Sequence, residues 1–239
     1  MKKSLLFSIL LLISGIMVQA QTLEDVLKEH FAAIGQDKLV KVQNMKVTGK
    51  LVQMGVEIPF VQTMARPSNV RLEGTFQGLT FIQTYNGKEG WNVNPFAGVS
   101  EPQPFGEDEL KSMKYQSDLD GMLWNYGEKN YTAILEGKED VEGTSCYKVK
   151  ITTKDGDEFI NYLDAESYLP LKTTAKVKIQ GNDTEMETYY TNYMQVDGIA
   201  IAGKTESKMG GQVVNTIISE KVEFNLDLDS KLFDKPVKN

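Results

Sequence analysis

Among 239 residues there is one cysteine, Cys146, and one histidine, His30. A lone cysteine excludes an internal disulfide and a thiolate cluster, and a lone histidine excludes a multi-histidine zinc site. A serine or cysteine triad would have to recruit His30, which falls in a predicted helix close to the start of the exported chain. Long hydrophobic runs are also missing. The apolar stretch from Leu5 to Val18 counts 14 residues, whereas a membrane-spanning helix needs about 20. Positive charge is in short supply, with 26 Lys and Arg against 33 Asp and Glu, a net charge of −7. That balance argues against a nucleic-acid backbone as ligand and offers no attraction to anionic headgroups. The acidic stretches Glu107-Asp108-Glu109 and Asp155-Gly156-Asp157-Glu158 lack the ligand spacing of a calcium loop and read as a helix start and a hairpin turn. Carboxylate-only catalysis or a calcium site stays open in principle, but no convincing nucleophile–base pair can be assembled, so the expectation is a non-enzymatic protein without metal or cofactors.

What is present begins with a leader. Lys2 and Lys3 precede the short apolar run, which ends in Val18-Gln19-Ala20 before Gln21. Basic start, short apolar middle and small residues before the cut define a cleavable secretory signal over residues 1–20. Removing Lys2 and Lys3 takes the net charge from −7 to −9. No cysteine stands at the new N-terminus to accept a lipid. The exported chain is therefore expected to be soluble, unanchored and periplasmic, and the absence of any Pro-, Ser- or Gly-rich linker predicts one domain over 21–239.

Residues 22–35 read as an amphipathic helix, with Leu23, Val26, Leu27, Phe31 and Ile34 on one face, Thr22 and Asp25 as a capping box and Gly35 as the stop. A short helical turn is expected over 38–42. From Asn44 the period becomes two. Apolar residues alternate with polar ones through 44–64 and 70–76, with turns at Met54-Gly55, Gln77-Gly78 and Asn86-Gly87. Pro95, Pro102 and Pro104 mark 94–105 as a loop, and 107–126 reads as helical, either one broken helix or two short ones. Strands then resume at 131–139, 145–153, 158–163, 169–180, 184–194, 199–209 and 212–224. The fold class is α+β, mostly β: about eleven antiparallel strands in one sheet. So many strands with one apolar face must curl, giving a half-open barrel with two or three helices as lid or plug.

Several motifs carry a resemblance. Arg66-Pro67 enters a strand at Val70-Arg71-Leu72. Asn86-Gly87-Lys88-Glu89-Gly90-Trp91 forms a hairpin that runs into Trp91-Asn92-Val93-Asn94-Pro95-Phe96. Leu163-Asp164 with Leu169-Pro170-Leu171, and the closing Phe233-Asp234-Lys235-Pro236, follow later. Together these resemble the LolA-type periplasmic carriers of outer-membrane lipoproteins, although Asn86 stands where that family has Asp and residues 105–131 show no residue-level match.

The resemblance implies a hydrophobic cavity for acyl chains beneath a helical lid, and an arginine at the Arg66 position that holds the lid until cargo enters. It also implies an inner-membrane release complex and an outer-membrane acceptor as partners, with lipoprotein acyl chains or another lipid as cargo and a monomeric carrier. The candidate wall is Leu51, Ile58, Phe60, Leu72, Phe76, Phe81, Trp91, Tyr147, Ile151, Leu171 and Val177, with Met45, Met54, Met64, Met113 and Met122 as adaptable additions. A lipid- or lipoprotein-sensing regulatory module, or a carrier of another amphiphile such as a glycolipid, is the alternative.

Overall fold

The structure, a computed structural model, describes residues 21–179 and 182–237, without the side chains of 177–179 and 182–183. The expected leader at 1–20, Gly181 in its turn and the Val177 side chain lie outside the described residues.

Helix α1 (Leu23–Ile34) starts as its capping box dictates: the Asp25 amide donates to Thr22 Oγ1, and the Thr22 amide donates to Asp25 Oδ2, both at 3.2 Å. Gly35 ends it at φ 73°, a left-handed position that favours glycine. A Cβ there would lie 2.2 Å from the Gly198 carbonyl oxygen, so the same glycine lets a later turn approach. Helix α2 (Gln36–Leu39) follows immediately, two residues earlier than the sequence suggests.

Strands β1 (Asn44–Gln53), β2 (Val56–Ala65), β3 (Asn69–Phe76), β4 (Leu79–Asn86) and β5 (Gly90–Asn94) form the expected meander. The proline-bearing stretch is not a loop throughout. A 3₁₀ turn at Pro95–Ala97 leads into β6 (Val99–Pro104), a sheet-edge strand, where a residue without an N–H is tolerated. Helix α3 (Glu107–Gln116) is shorter than the expected 107–126. The chain from Ser117 to Asn130 turns repeatedly, helped by positive φ at Gly121, Asn125 and Asn130.

The second half comprises β7 (Thr132–Val141), β8 (Thr144–Thr152), β9 (Glu158–Asp164), β10 (Pro170–Ile179), β11 (Asn182–Thr191), β12 (Met194–Val196), β13 (Ile199–Ile201), β14 (Lys204–Met209) and β15 (Gln212–Phe224). Two expected long strands are each split. The left-handed Asn192 breaks 184–194, and 199–209 breaks at Gly203, whose amide donates to the Asn192 carbonyl at 3.1 Å. The excised piece, β12–β13, folds out of the sheet as its own hairpin about Asp197-Gly198.

Thirteen strands make one sheet in the order β6-β5-β4-β3-β2-β1-β15-β14-β11-β10-β9-β8-β7, two more than the eleven expected. Every pairing is antiparallel. One face carries α1, the α3 connection and the β12–β13 hairpin. Val26 and Leu27 of α1 pack there with Leu123, Tyr147, Val149, Ile151 and Leu163, all buried. Each such side chain contributes about 1.5–3 kcal/mol, which seats α1 on β8 and β9. Met113 and Leu119 pack with Met64, Val70 and Tyr85 on the β2–β4 side, and Met194, Val196 and Ile201 of the small hairpin cover Val47, Phe60 and Val222.

Candidate functional site

Arg66 follows β2 directly and is held on several sides. Its Nε donates to the Val42 carbonyl at 2.7 Å and its Nη2 to the Leu39 carbonyl at 3.2 Å. These are acceptors at and just beyond the C-terminal end of α2, where carbonyls lack helical partners. The same guanidinium grips Asp120 with two hydrogen bonds, Nη1 to Oδ2 at 2.7 Å and Nη2 to Oδ1 at 2.5 Å. Only a planar fork can do both at once. Asp120 is tied further by its own carbonyl, which accepts from Gln36 Nε2 at 3.1 Å. Nearby, Lys129 Nζ bonds Asp118 Oδ2 at 2.6 Å and the Gly121 carbonyl at 2.7 Å. The turns between α3 and β7 are thus fastened to β2 and α2 chiefly by charge.

The other end of that connection is fastened to the β8–β9 turn. Lys111 Nζ and Tyr115 Oη of α3 donate to Asp157 at 2.7 Å and 2.5 Å. Burial raises the Asp157 carboxyl, but the hydrogen bonds from Lys111 and Tyr115 outweigh it and hold the group below the usual carboxylate range. Burial, with help from Asp157, pushes the Tyr115 phenol up. Asp120 and Asp157 carry no distinctive local pattern in the sequence. The signal that could have exposed Asp120 is the Asp118-Leu119-Asp120-Gly121 turn, in a stretch that the helical reading absorbed.

The antiparallel register places the candidate wall. Leu51 is directly across from Ile58, Phe60 from Gly49 and Gly74, and Phe81 from Gly74. Leu51, Ile58, Phe60, Leu72, Phe76 and Phe81 therefore share the helix-bearing face as one contiguous group. A Cβ on Gly74 would lie 2.5 Å from the Phe81 ring, so this glycine makes room for an aromatic ring, whereas one on Gly49 would meet the Ile218 carbonyl oxygen at 1.9 Å, with the Phe60 ring at 3.2 Å. Phe60 is buried, while Leu51, Ile58, Leu72, Phe76 and Phe81 are half-buried.

The rest of the list divides. Tyr147 and Ile151 lie on the same face but are covered by α1 and Leu123. Trp91 pairs with Thr84 rather than with the Tyr85 and Gln83 row, so it points to the opposite face, because the strand after the Asn86-Gly87 turn begins with Gly90 on the helix side. Leu171 sits in a bulge between Pro170 and Lys172. The extra residue turns it to the opposite face, where it packs with Val141, Cys146 and Tyr162. Met64 and Met113 are buried under the α3 connection, whereas Met54 is exposed at its turn.

The helix-bearing face changes character farther along the sheet. Through β9, β10, β11 and β14 the register aligns Asn161, Thr173, Thr188, Tyr190, Thr205 and Ser207 on it. All are half-buried, and Asn161 Nδ2 has no hydrogen-bond partner. An apolar wall on β1–β4 and, on β9–β14, a band of uncharged polar residues bordered by the apolar row Phe159, Ala175, Met186 and Met209 thus share one face.

Two recesses mark the surface elsewhere. One, of about 230 Å³, lies on the opposite face between Arg71, Ile82 and the segment Asp229–Val237. The other, of about 170 Å³, lies beside Lys38, Val42 and Asp197. Neither falls beneath the helices along the candidate wall. His30 is buried, with its Nδ1 2.9 Å from the Tyr168 carbonyl, and burial lowers its pKa. Cys146 is buried and its thiol is pushed up to about 11, mainly by burial. Among the described residues no group of three or more His, Cys, Asp and Glu could hold a metal ion.

Neither a family model nor a curated protein matches the chain. Solved structures do. A LolA superfamily protein from Nitrosomonas europaea superposes with a TM-score of 0.59 at 14% identity, over 90% of this chain and 99% of the other. A DUF1329 family protein from Desulfovibrio piger gives 0.58 at 15% identity, over 87% and 97%. A domain from Vibrio parahaemolyticus described as outer-membrane lipoprotein-sorting gives 0.57 at 12% identity, over 87% and 97%. At such identities the likeness establishes a fold shared with these proteins, and nothing about family or cargo.

Two outcomes are expected from the fastenings. Arg66→Leu leaves Asp120 unpaired and strips the α2 end of two donors. It should lower stability by about 2 kcal/mol and speed hydrogen exchange across 117–130 while the sheet stays protected. Asp157 has a depressed folded pKa, so its stabilising contribution is present above its unfolded pKa of about 3.9 and disappears as pH falls through the lower folded value. The difference in urea midpoint between the wild type and Asp157→Asn should therefore be largest near neutrality and shrink toward zero below about pH 4.

Proposed function

We propose that this chain is a non-enzymatic periplasmic carrier that shields the acyl chains of a lipoprotein, or of a similar amphiphile, against the helix-bearing face of a curled, half-open sheet. The carrying observation is that this face is amphipathic and only half covered at Leu51, Ile58, Phe76 and Phe81. Acyl chains fit the apolar wall, each buried methylene gaining about 0.8 kcal/mol. An uncharged polar portion fits the Thr, Ser and Tyr wall of β10–β14, and Asn161 offers it an unused donor.

The reach of α3 supports the curl. On a flat sheet β3 and β9 stand seven strands apart, about 34 Å at the usual strand spacing. A ten-residue helix spans about 15 Å. Yet Met113 belongs to the buried cluster of Met64, Val70 and Tyr85 on β2–β4 while Tyr115 meets Phe159 of β9 with ring centroids 5.2 Å apart. A sheet that bends around the connection satisfies both contacts.

Release follows from the fastenings. Arg66 holds the turns and Asp157 holds α3 through polar anchors that can be exchanged as a set. Departure of this connection exposes the buried Met113 and Leu119 and would widen the apolar wall to Val70 and Tyr85, so incoming acyl chains must replace that apolar contact. The fold shared with a LolA superfamily protein and the expected leader agree with this reading and with a periplasmic setting.

The test is binding of a fluorescent fatty acyl probe to the wild type and to Phe81→Asp. Placing a charge beside Gly74 on the apolar wall should weaken binding at least tenfold. Thermal unfolding of the variant checks that the sheet is intact. Unchanged probe affinity in a folded variant would overturn the assignment of this wall.

A further inference from the structure

We propose that the sheet edge opposite the Arg66 anchor is a membrane-docking rim that seats on bilayers with neutral headgroups. Eight consecutive strands, β6-β5-β4-β3-β2-β1-β15-β14, close at this edge in four hairpins. Each carries an exposed apolar side chain: Phe96 at 45%, Leu79 at 44%, Met54 at 97% and Val213 at 53%. Scattered singly, such residues need no explanation. Here they occupy four neighbouring tips.

Charge is missing from the same places. Residues 53–56, 76–80, 94–100 and 209–214 contain no Asp, Glu, Lys or Arg, although these make up 25% of the chain. Tips of hairpins in water favour polar residues, and left-handed positions favour Gly, Asn or Asp. Met54 stands at φ 51°, so it combines full exposure with a backbone region that its side chain does not favour. The left-handed backbone serves the two-residue hairpin turn, as it does at Gln77, but a fully exposed large apolar side chain there does not.

Spacing decides what kind of surface fits. The tips recur at every second strand, about 10 Å apart at the usual strand separation, in a row of about 30 Å. That is too extended for one small ligand, and an apolar boundary receives each tip separately. No charged residue stands on the four tips, and the flanking Glu57 pairs with Lys50 at 3.0 Å, so the tips offer a charged partner no complement. The acidic net charge adds no attraction to anionic lipid, so neutral headgroups and salt-independent binding follow. The inference does not require that the cargo be an acyl chain. It does place a docked bilayer beside Leu51, Ile58 and Phe81.

The experiment is flotation of the exported protein, its N-terminus verified as Gln21, with large phosphatidylcholine vesicles at low and high salt. The wild type is expected to float at both, and the Met54→Asp/Val213→Asp double variant to partition at least tenfold less with an unchanged unfolding midpoint. Both side chains are exposed at tips outside the proposed cargo wall, whereas Phe96 neighbours the Phe76 ring and is left in place. Acyl-probe binding should therefore survive in the variant, which separates a failure of docking from a failure of cargo binding. A wild type that ignores these vesicles, binding that needs anionic lipid and vanishes in salt, or a folded double variant that floats as well as the wild type would each overturn the rim assignment.

Discussion

One guanidinium holds together parts of the molecule that the sheet alone would leave apart. The stretch from Gly106 to Tyr131 must pass from β6 to β7, the two outer strands of the sheet, and only its first ten residues are helical. A helix that short has little stability of its own. The remaining turns bury Leu119 and Leu123 but depend on polar fastenings for their position. Arg66 supplies the central one by joining Asp120 to the ends of β2 and α2. Hydrogen bonds of this kind, partly buried and charge-assisted, are directional and stronger than neutral ones. They are also discrete, so they can be exchanged as a set, which loosely packed apolar contact does not allow.

The two sides of the covering layer therefore differ in kind. Over β8 and β9, α1 closes the face with interlocking aliphatic packing, and Gly35 pressed against Gly198 leaves no room for sliding. Over β2–β4 the connection rests on Met113 and Leu119 and on ion pairs. Farther toward the hairpin tips the wall of Leu51, Ile58, Phe76 and Phe81 is half-covered. This gradient, from sealed to fastened to open, lets one face serve as core and, in the proposed carrier, also as a surface for an amphiphile.

Much of this was legible in the sequence because it rests on local rules. The Thr22–Asp25 box and Gly35 predict α1 to the residue, and alternation with Gly-containing turns predicts the meander of β1–β5. The contiguous wall group from Leu51 to Phe81 follows from the same period of two. The failures are equally physical. Leu171 turns away because a bulge adds one residue, and no periodicity registers a bulge. Trp91 changes face because pairing across the Asn86-Gly87 turn sets its parity, which depends on the exact loop length. Proline within 99–104 reads as loop, yet an edge strand accepts it. Arg66 stands out through its motif, but its partner Asp120 is 54 residues away, and no local pattern encodes a pairing at that distance.

The account stands or falls on whether the covered face takes acyl chains out of a membrane and keeps them in water. The direct measurement is to incubate the exported protein with liposomes bearing a triacylated lipoprotein and to assay the vesicle-free fraction for a stoichiometric complex. The account predicts a soluble one-to-one complex whose yield falls when Phe81 is replaced by Asp. A lipoprotein that stays wholly with the liposomes, while the protein remains folded, would contradict it.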